Sequence, residues 1–346
     1  MMTKKYSAVG IILTTLMALV VGLTPSHLAE AYQETTAGGS LVATVLPKAP
    51  GPQTDVTITL AGYGYDLNES TIAWALNNKE QQRGIGEKSF KFTTGKLGEI
   101  TVITVAVKTK EGRAIAKQLI FIPAEVDILW EADTYVPPFY PGAPLVTEGS
   151  RVRLTAIPQL TTTSGRLIPS SQLTFTWRHN YRNLVQQSGR GKDYIEITAP
   201  SASSDAPVIE ITVTSPTSDA TAYRKITVPV TVPEIIIYPL KPLAGVVASE
   251  AIAETYQSKA EEESFIVEPY YFTKSEVASN YLTYTWRINS EPIVTNVETP
   301  RVLNTTQKKA DQGEANVEIF VSSLNNNLRR ASKSFKIILD KSFFGL

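Results

Sequence analysis

Cysteine is absent from all 346 residues, and histidine occurs only twice, at His27 and His179. Without cysteine there is no disulfide framework, no thiolate-ligated zinc or iron–sulfur centre and no thiol nucleophile. So few imidazoles also rule out a histidine-built metal site. Charge of neither sign predominates, since 33 Lys and Arg face 33 Asp and Glu. That balance excludes a globally basic nucleic-acid binder. The apolar content of 42% is that of a globular chain, which excludes disorder throughout.

What is present begins with a leader. Lys4 and Lys5 precede an uncharged, mostly apolar stretch from Ser7 to Leu23, and Ala29-Glu30-Ala31 follows. A basic start, an apolar core and A-x-A form a secretory signal, with cleavage after Ala31. The alternative is an uncleaved anchor through residues 7–23, whose 17 residues are at the short end for a spanning helix. Loss of Lys4, Lys5 and Glu30 would leave 31 basic and 32 acidic residues, a net charge of −1. Residues 32–40 (YQETTAGGS) read as a flexible tether. An exported chain without cysteine must take its stability from ordinary cores rather than disulfides.

The strongest pattern is an internal repeat. Trp74, Trp177 and Trp286 stand in matching contexts, IAWALN, FTWRHN and YTWRIN, separated by 103 and 109 residues. That period matches whole domains rather than solenoid repeats. The shared core is W-x-φ-N, where φ is Leu76, His179 or Ile288. An alternating run precedes each tryptophan, at Val56–Leu60, Val152–Ala156 and Phe265–Pro269. A β-branched strand ending at Val107, Val213 or Val321 follows, then a last strand carrying Lys117, Lys225 or Lys333. Within elements the period is two, so Ile72, Trp74 and Leu76 face one way and Thr71, Ala73 and Ala75 the other. Half-buried antiparallel strands of this kind build a sandwich.

The expected architecture is therefore all-β: three tandem antiparallel β-sandwiches after the signal or anchor helix. The boundaries fall at 41–123, 124–232 and 233–346, correcting the two domains that length alone suggests. Almost no linker separates them, so the sequence predicts a stiff array spanning about 100 Å. Each tryptophan is expected to anchor its core against aliphatic neighbours. Residues 248–263 (ASEAIAETYQSKAEEE) are rich in helix formers and predict a short helix or a charged loop.

The segments Tyr284–Pro292 (YTWRINSEP) and Phe175–Asn180 (FTWRHN) resemble bacterial Ig-like and PKD-like repeat domains, although the W-D-F-G-D-G hairpin is absent. Together with the leader and the apolar end Phe343–Leu346, the chain resembles exported Ig-like repeat proteins of candidate-phylum bacteria. That resemblance implies a surface or cell-envelope role and supplies no catalytic residues. Its inward tryptophan matches the core anchor of immunoglobulin domains.

Candidate chemistry is sparse. His179, the one histidine beyond the leader, has no triad partners at suitable spacing and reads as a polar strand-end residue rather than a base. Gly84-Ile-Gly86 and Gly189-Arg-Gly191-Lys192 lack phosphate-loop spacing and read as turns. Glu125, Asp127, Glu131 and Asp133 cluster at the first junction. Together they could supply calcium ligands or simply charge an edge strand. Tyr135, Phe139 and Tyr140 lie in a Pro-rich stretch with Trp130 nearby. They form a docking patch or else cement two domains. Tyr238–Leu243 repeats the Pro-rich character at the second junction.

These readings favour a non-enzymatic, exported surface or envelope protein serving as stalk, scaffold or adhesin, without cofactor. Its partner would be a cell-surface or envelope protein or a glycan, and membrane attachment would run only through residues 7–23. The alternatives are a glycan- or peptide-binding module using the 135–141 loop or the sandwich-end loops, and a hydrolase with a Ser–Lys dyad. N-terminal sequencing of exported material should read Tyr-Gln-Glu-Thr, from Tyr32 onward; a start at Met1 would identify the anchor instead.

Overall fold

The computed structural model describes residues 40–339 apart from 259, 307–312 and 327. The leader (1–31), the tether except Ser40, and Phe343–Leu346 lie outside the described residues. Among the described residues no helix is long and apolar enough to cross a membrane.

The first module contains β1 (Ser40–Leu46), β2 (Asp55–Tyr63), β3 (Thr71–Leu76), β4 (Lys79–Ile85), β5 (Ser89–Thr93), β6 (Thr101–Lys108) and β7 (Ala114–Phe121). A three-stranded sheet β1-β2-β5 faces a four-stranded sheet β4-β3-β6-β7. The second module contains β8 (Glu125–Ala132), β9 (Arg151–Gln159), β10 (Thr174–His179), β11 (Arg182–Asn183), β12 (Gly189–Arg190), β13 (Tyr194–Thr198), β14 (Val208–Thr214) and β15 (Thr221–Thr227). Its sheets run β8-β9-β13 and β11-β10-β14-β15, with β12 added against β10.

The third module contains β16 (Glu234–Lys241), β17 (Gly245–Val246), β18 (Thr255–Gln257), β19 (Glu262–Tyr270), β20 (Leu282–Ile288), β21 (Glu291–Ile293), β22 (Val302–Thr306), β23 (Gly313–Ser323) and β24 (Arg330–Leu339). Its sheets run β17-β16-β19-β22 and β18-β24-β23-β20-β21. The first, second and fifth strands of the basic plan thus face the third, fourth, sixth and seventh in every module. This is the Ig-like class of sandwich.

Trp74, Trp177 and Trp286 are each fully buried on the third strand of the plan. A buried indole N–H needs an acceptor. Each finds a backbone carbonyl in the segment that leads to the fifth strand: Glu87 at 2.8 Å, Lys192 at 2.9 Å and Pro300 at 3.1 Å. The surroundings are not uniformly aliphatic. Trp74 stacks on Phe90 at 5.3 Å, and Phe92 and Phe121 continue the aromatic row. In module three Phe265 sits between Tyr256 and Phe335.

The asparagine of W-x-φ-N has a local explanation. Asn77-Asn78, Asn180-Tyr181 and Asn289-Ser290 all have positive φ at both residues. Each pair is the two-residue loop of a hairpin, closing Leu76 on Lys79, His179 on Arg182 and Ile288 on Glu291. Both positions positive is the I′ turn, which asparagine tolerates and which matches strand twist. The side chain then reaches across the sheet. Its Oδ1 accepts the N–H of Val102, Val208 or Asn316 at 2.8–2.9 Å, next to the start of the sixth strand.

Two further expectations differ from the structure. The described residues of 248–263 form no helix: Thr255–Gln257 pairs in parallel with β24, and Tyr256 is buried against Phe265. Helix propensity is worth only tenths of a kcal/mol per residue, and pairing along an open sheet edge outweighs it. The one α-helix among the described residues is instead α1 (Lys274–Ala278), opened by a capping box between Thr273 and Glu276. Gly84 is not a turn residue but lies in β4 opposite Ile72, whereas Gly86, Gly189 and Gly191 do adopt positive φ.

The first two modules meet without slack. Phe121 belongs to the first core and its neighbour Ile122 to the second. Gly98, at φ 73°, donates its N–H to the Pro123 carbonyl at 2.9 Å. A Cβ there would lie 2.6 Å from Thr161 Oγ1 in module two, so glycine is required twice over.

Asn180→Ala should lower stability by about 2 kcal/mol, from one lost hydrogen bond and one left-handed alanine. Asn180→Gly should lose about half as much, because only the hydrogen bond goes. Urea denaturation with an unchanged m-value would check both.

Candidate functional site

The richest concentration of polar and aromatic side chains lies where module two meets module three. Its position follows from the length of β8. That strand runs the length of the sandwich, so Glu125 lies beside module one and Ala132 beside module three. Eight residues at about 3.3 Å each separate the two ends by roughly 25 Å. The four acidic residues of the sequence analysis are therefore spread along a strand, not gathered at the first junction. Asp127 lies 3.9 Å from Arg224, Asp133 lies 3.9 Å from Arg151, and Glu131 lies 3.7 Å from Lys274 of module three. Among the described residues no group of three or more acidic or imidazole side chains could hold a metal ion.

Past β8, the chain leaves module two as an added strand for module three. The Tyr135 N–H donates to the Phe272 carbonyl at 2.7 Å, and the Tyr271 N–H donates to the Tyr135 carbonyl at 2.8 Å. Thr134 bridges Thr273 in antiparallel fashion, and the Lys274 N–H reaches the Asp133 carbonyl at 3.3 Å. Buried Thr147 adds a bond from its hydroxyl to the Tyr271 carbonyl at 2.7 Å. Tyr271 holds φ at 65°, which is unfavourable for a bulky residue. Hydrogen bonds from module two to both its N–H and its carbonyl hold it there.

The aromatic residues singled out in the sequence complete this joint. Tyr140 meets Tyr270 edge-on at 5.1 Å, and its hydroxyl lies 3.2 Å from that of Tyr271. Phe139 meets Tyr238 edge-on at 5.3 Å. Gly142 sits under the Tyr140 ring, where a Cβ would come within 2.5 Å of it. Tyr238, Ile266, Tyr270 and Tyr271 form a separate small core, with Val136 and Tyr140 packed on it. Phe139 stands at 83° to Tyr238 and Tyr140 at 87° to Tyr270, so each meets its module-three partner edge to face. Phe139 and Trp130 keep 39% and 43% of their surface exposed.

Two buried charges brace the seat. Glu268 accepts the Tyr135 hydroxyl at 2.9 Å and pairs with Arg301 at 3.3 Å. Burial dominates there and raises the Glu268 carboxyl above its ordinary value, while Arg301 and the Tyr135 hydroxyl pull the other way. The Tyr135 phenol is itself pushed up to about 12, by burial first and Glu268 second. Beneath the seat, Glu276 accepts from Thr273, from the Ser323 hydroxyl and from Arg329, the last at 2.8 Å. That carboxylate ties the loop carrying Tyr271–Thr273 to the loop carrying Arg329. Burial also raises the phenols of Tyr270 and Tyr271 above their ordinary range, so they remain neutral hydrogen-bonding groups.

His179 stands apart from this joint. It is half-buried at its strand end, opposite Ile209 and Arg182, and its Nε2 has no hydrogen-bond partner among the described residues. Burial lowers its imidazole pKa. A hollow of about 110 Å³ lies between modules one and two, lined by residues that include Lys48, Asp219 and Thr221 but no serine. Nothing in its lining supplies a Ser–Lys dyad.

The class is that of tandem Ig-like β-sandwiches. No protein-family profile matches the chain, and no curated protein matches it. Among solved structures it is similar to the three N-terminal domains of the highly immunogenic outer capsid protein of bacteriophage RB49, at 12% identity and a TM-score of 0.26. That alignment covers 88% of this chain and 100% of the other. It is also similar to the central fibronectin-III array of RIM-binding protein, at 12% identity and a TM-score of 0.27, covering 88% and 97%. A third is a bacterial ice-binding adhesin studied for host cell surface retention, at 10% identity and a TM-score of 0.22, covering 88% and 99%. Scores this low carry no function to this chain.

The Glu268 carboxyl holds its proton to higher pH in the fold than in the unfolded chain. Its contribution is full below the ordinary carboxylate range and is lost as pH rises through the raised value. Relative to wild type, Glu268→Gln should therefore gain stability as pH rises from the ordinary carboxylate range through the raised value, measured by urea denaturation across pH. An unchanged difference across that window would contradict it.

Proposed function

We propose that the chain is an exported, non-enzymatic surface or envelope protein of the bacterial tandem Ig-like type, working as a stalk or scaffold. Modules two and three act as one fixed elbow. The observation that carries this reading is the joint between them, where backbone pairing at Tyr135 and Tyr271 is backed by buried Thr147. Backbone hydrogen bonds across a junction fix direction as well as distance, which apolar contact alone does not. A flexible adhesive chain would gain nothing from such a joint, whereas a spacer holding a set geometry needs it. The leader supports export, and the aromatic loop 135–141 is mostly engaged in holding the elbow. The exposed part of Phe139 and Trp130 leaves a smaller surface on which a protein or glycan of the envelope could rest.

Absence of cysteine makes the test direct. Spin labels on Ser204→Cys and Ser334→Cys, both exposed serines, report the distance between modules two and three without background labelling. A narrow distance distribution is expected, broadening when Thr147→Val and Tyr135→Pro remove inter-module bonds. A broad distribution in the otherwise unaltered chain would reject the elbow.

A further inference from the structure

The joint places two phenols from different modules in hydroxyl contact, and that contact has chemistry of its own. We infer that Tyr140 and Tyr271 form an oxidative cross-linking site, at which hydrogen peroxide acting through a haem peroxidase joins modules two and three as a dityrosine.

The geometry is set from both sides. The Tyr140 ring is confined between the edge of Tyr270 at 5.1 Å and the bare backbone of Gly142. Tyr271 is fixed by its backbone, whose N–H donates to Tyr135 and whose carbonyl accepts from Thr147. The two hydroxyls are 3.2 Å apart, and either can donate to the other. The ring carbons that couple in a dityrosine are those flanking the hydroxyl-bearing carbon, the ring positions next to this hydroxyl contact. Tyr140 is half-buried, whereas Tyr271 is buried, so an oxidant reaches one member of the pair. Nothing competes as a thiol, because the chain has no cysteine.

The step balances. Oxidation removes one electron and one proton from the Tyr140 hydroxyl, and hydrogen-atom exchange along the hydroxyl contact passes the radical to Tyr271. A second oxidation at Tyr140 completes the radical pair. The two radicals form one carbon–carbon bond between ring positions next to the hydroxyls. The two displaced ring hydrogens return to the oxygens, restoring both phenols. The two electrons and two protons reduce one hydrogen peroxide to two waters. The product is a covalent clasp across a junction that no disulfide can close.

Tyr270 is the competing partner: its hydroxyl lies 2.8 Å from that of Tyr238 and its ring 5.1 Å from that of Tyr140. Coupling of Tyr238 to Tyr270, both in module three, would leave the junction unclasped, and fragment ions that place the bond on Tyr270 rather than Tyr271 would overturn the inference. The inference rests on the geometry of the joint and not on the stalk reading, which the spin-label distances test separately.

The full chain, kept dilute to favour reaction within one molecule, is treated with hydrogen peroxide and a haem peroxidase. Dityrosine fluorescence and mass spectrometry of proteolytic peptides follow the product. The expected result is a monomer lighter by two hydrogens, with one peptide pair joined through Tyr140 and Tyr271. Tyr140→Phe, which keeps the ring and its packing, should abolish that pair, and Tyr238→Phe should leave it intact. Circular dichroism in the aromatic region confirms that both variants remain folded. No Tyr140–Tyr271 peptide in the folded wild type, or coupling only between Tyr238 and Tyr270, would overturn the inference.

Discussion

Every module depends on how one buried indole N–H is satisfied. An indole donor shut away from water without an acceptor would cost more than its ring contributes in an ill-packed core. Each of Trp74, Trp177 and Trp286 donates to the carbonyl of a residue 13 to 15 positions further on. That bond spans the two sheets, because the donor sits on one and the acceptor leads into the other. It therefore fixes where the chain crosses between layers. The turn asparagine three residues beyond each tryptophan fixes the opposite end, clamping the segment that starts the sixth strand. Tryptophan and asparagine together set both ends of one module, which is why they recur as a pair.

The junctions follow a different logic. Between modules one and two the chain passes from Phe121 in one core to Ile122 in the next, and Gly98 lets the surfaces close up. Between modules two and three the connection is reinforced at a distance. The loop after β8 returns to the far end of module two and pairs with the loop before α1. The chain link itself runs through residues 228–233, so the two modules are joined at more than one place. Glu268 and Glu276, each nearly fully buried, hold the receiving loops from behind. Paired buried charges of this sort contribute more to fixing a geometry than to net stability.

The sandwich class was legible because its determinants are local and repeated. Trp-x-φ-Asn marks a strand, its inward face and its turn within four residues. The joint was not legible, because Tyr135 and Glu268 are 133 residues apart and Tyr140 and Tyr271 are 131 apart. Sequence reasoning picked out Tyr135, Phe139 and Tyr140 as either docking or cementing residues. It could not say which module they would meet, since that depends on β8 running the full length of its sheet. The contributions of Tyr271, Thr147 and Glu268 went unseen. α1 did carry a readable mark in Thr273-Lys-Ser-Glu276, the capping-box pattern, but the helix-rich composition of residues 248–263 pointed elsewhere. There, an open edge on β24 decided the outcome, and no local propensity reports such an edge.

That edge has a mechanical consequence. Tension along the array enters each module at its first strand and leaves at its last, so the seam between them carries the load. In module one the seam is bridged by Lys117 donating to the Leu41 carbonyl, and in module two by Arg224 facing Asp127. In module three the segment after the first strand β16 bridges back to it at Ile237 and Ile252, and then pairs in parallel with the last strand through β18 and β24. Among the described residues, module three is thus where a backbone ladder closes onto the last strand, while modules one and two close that side through side chains.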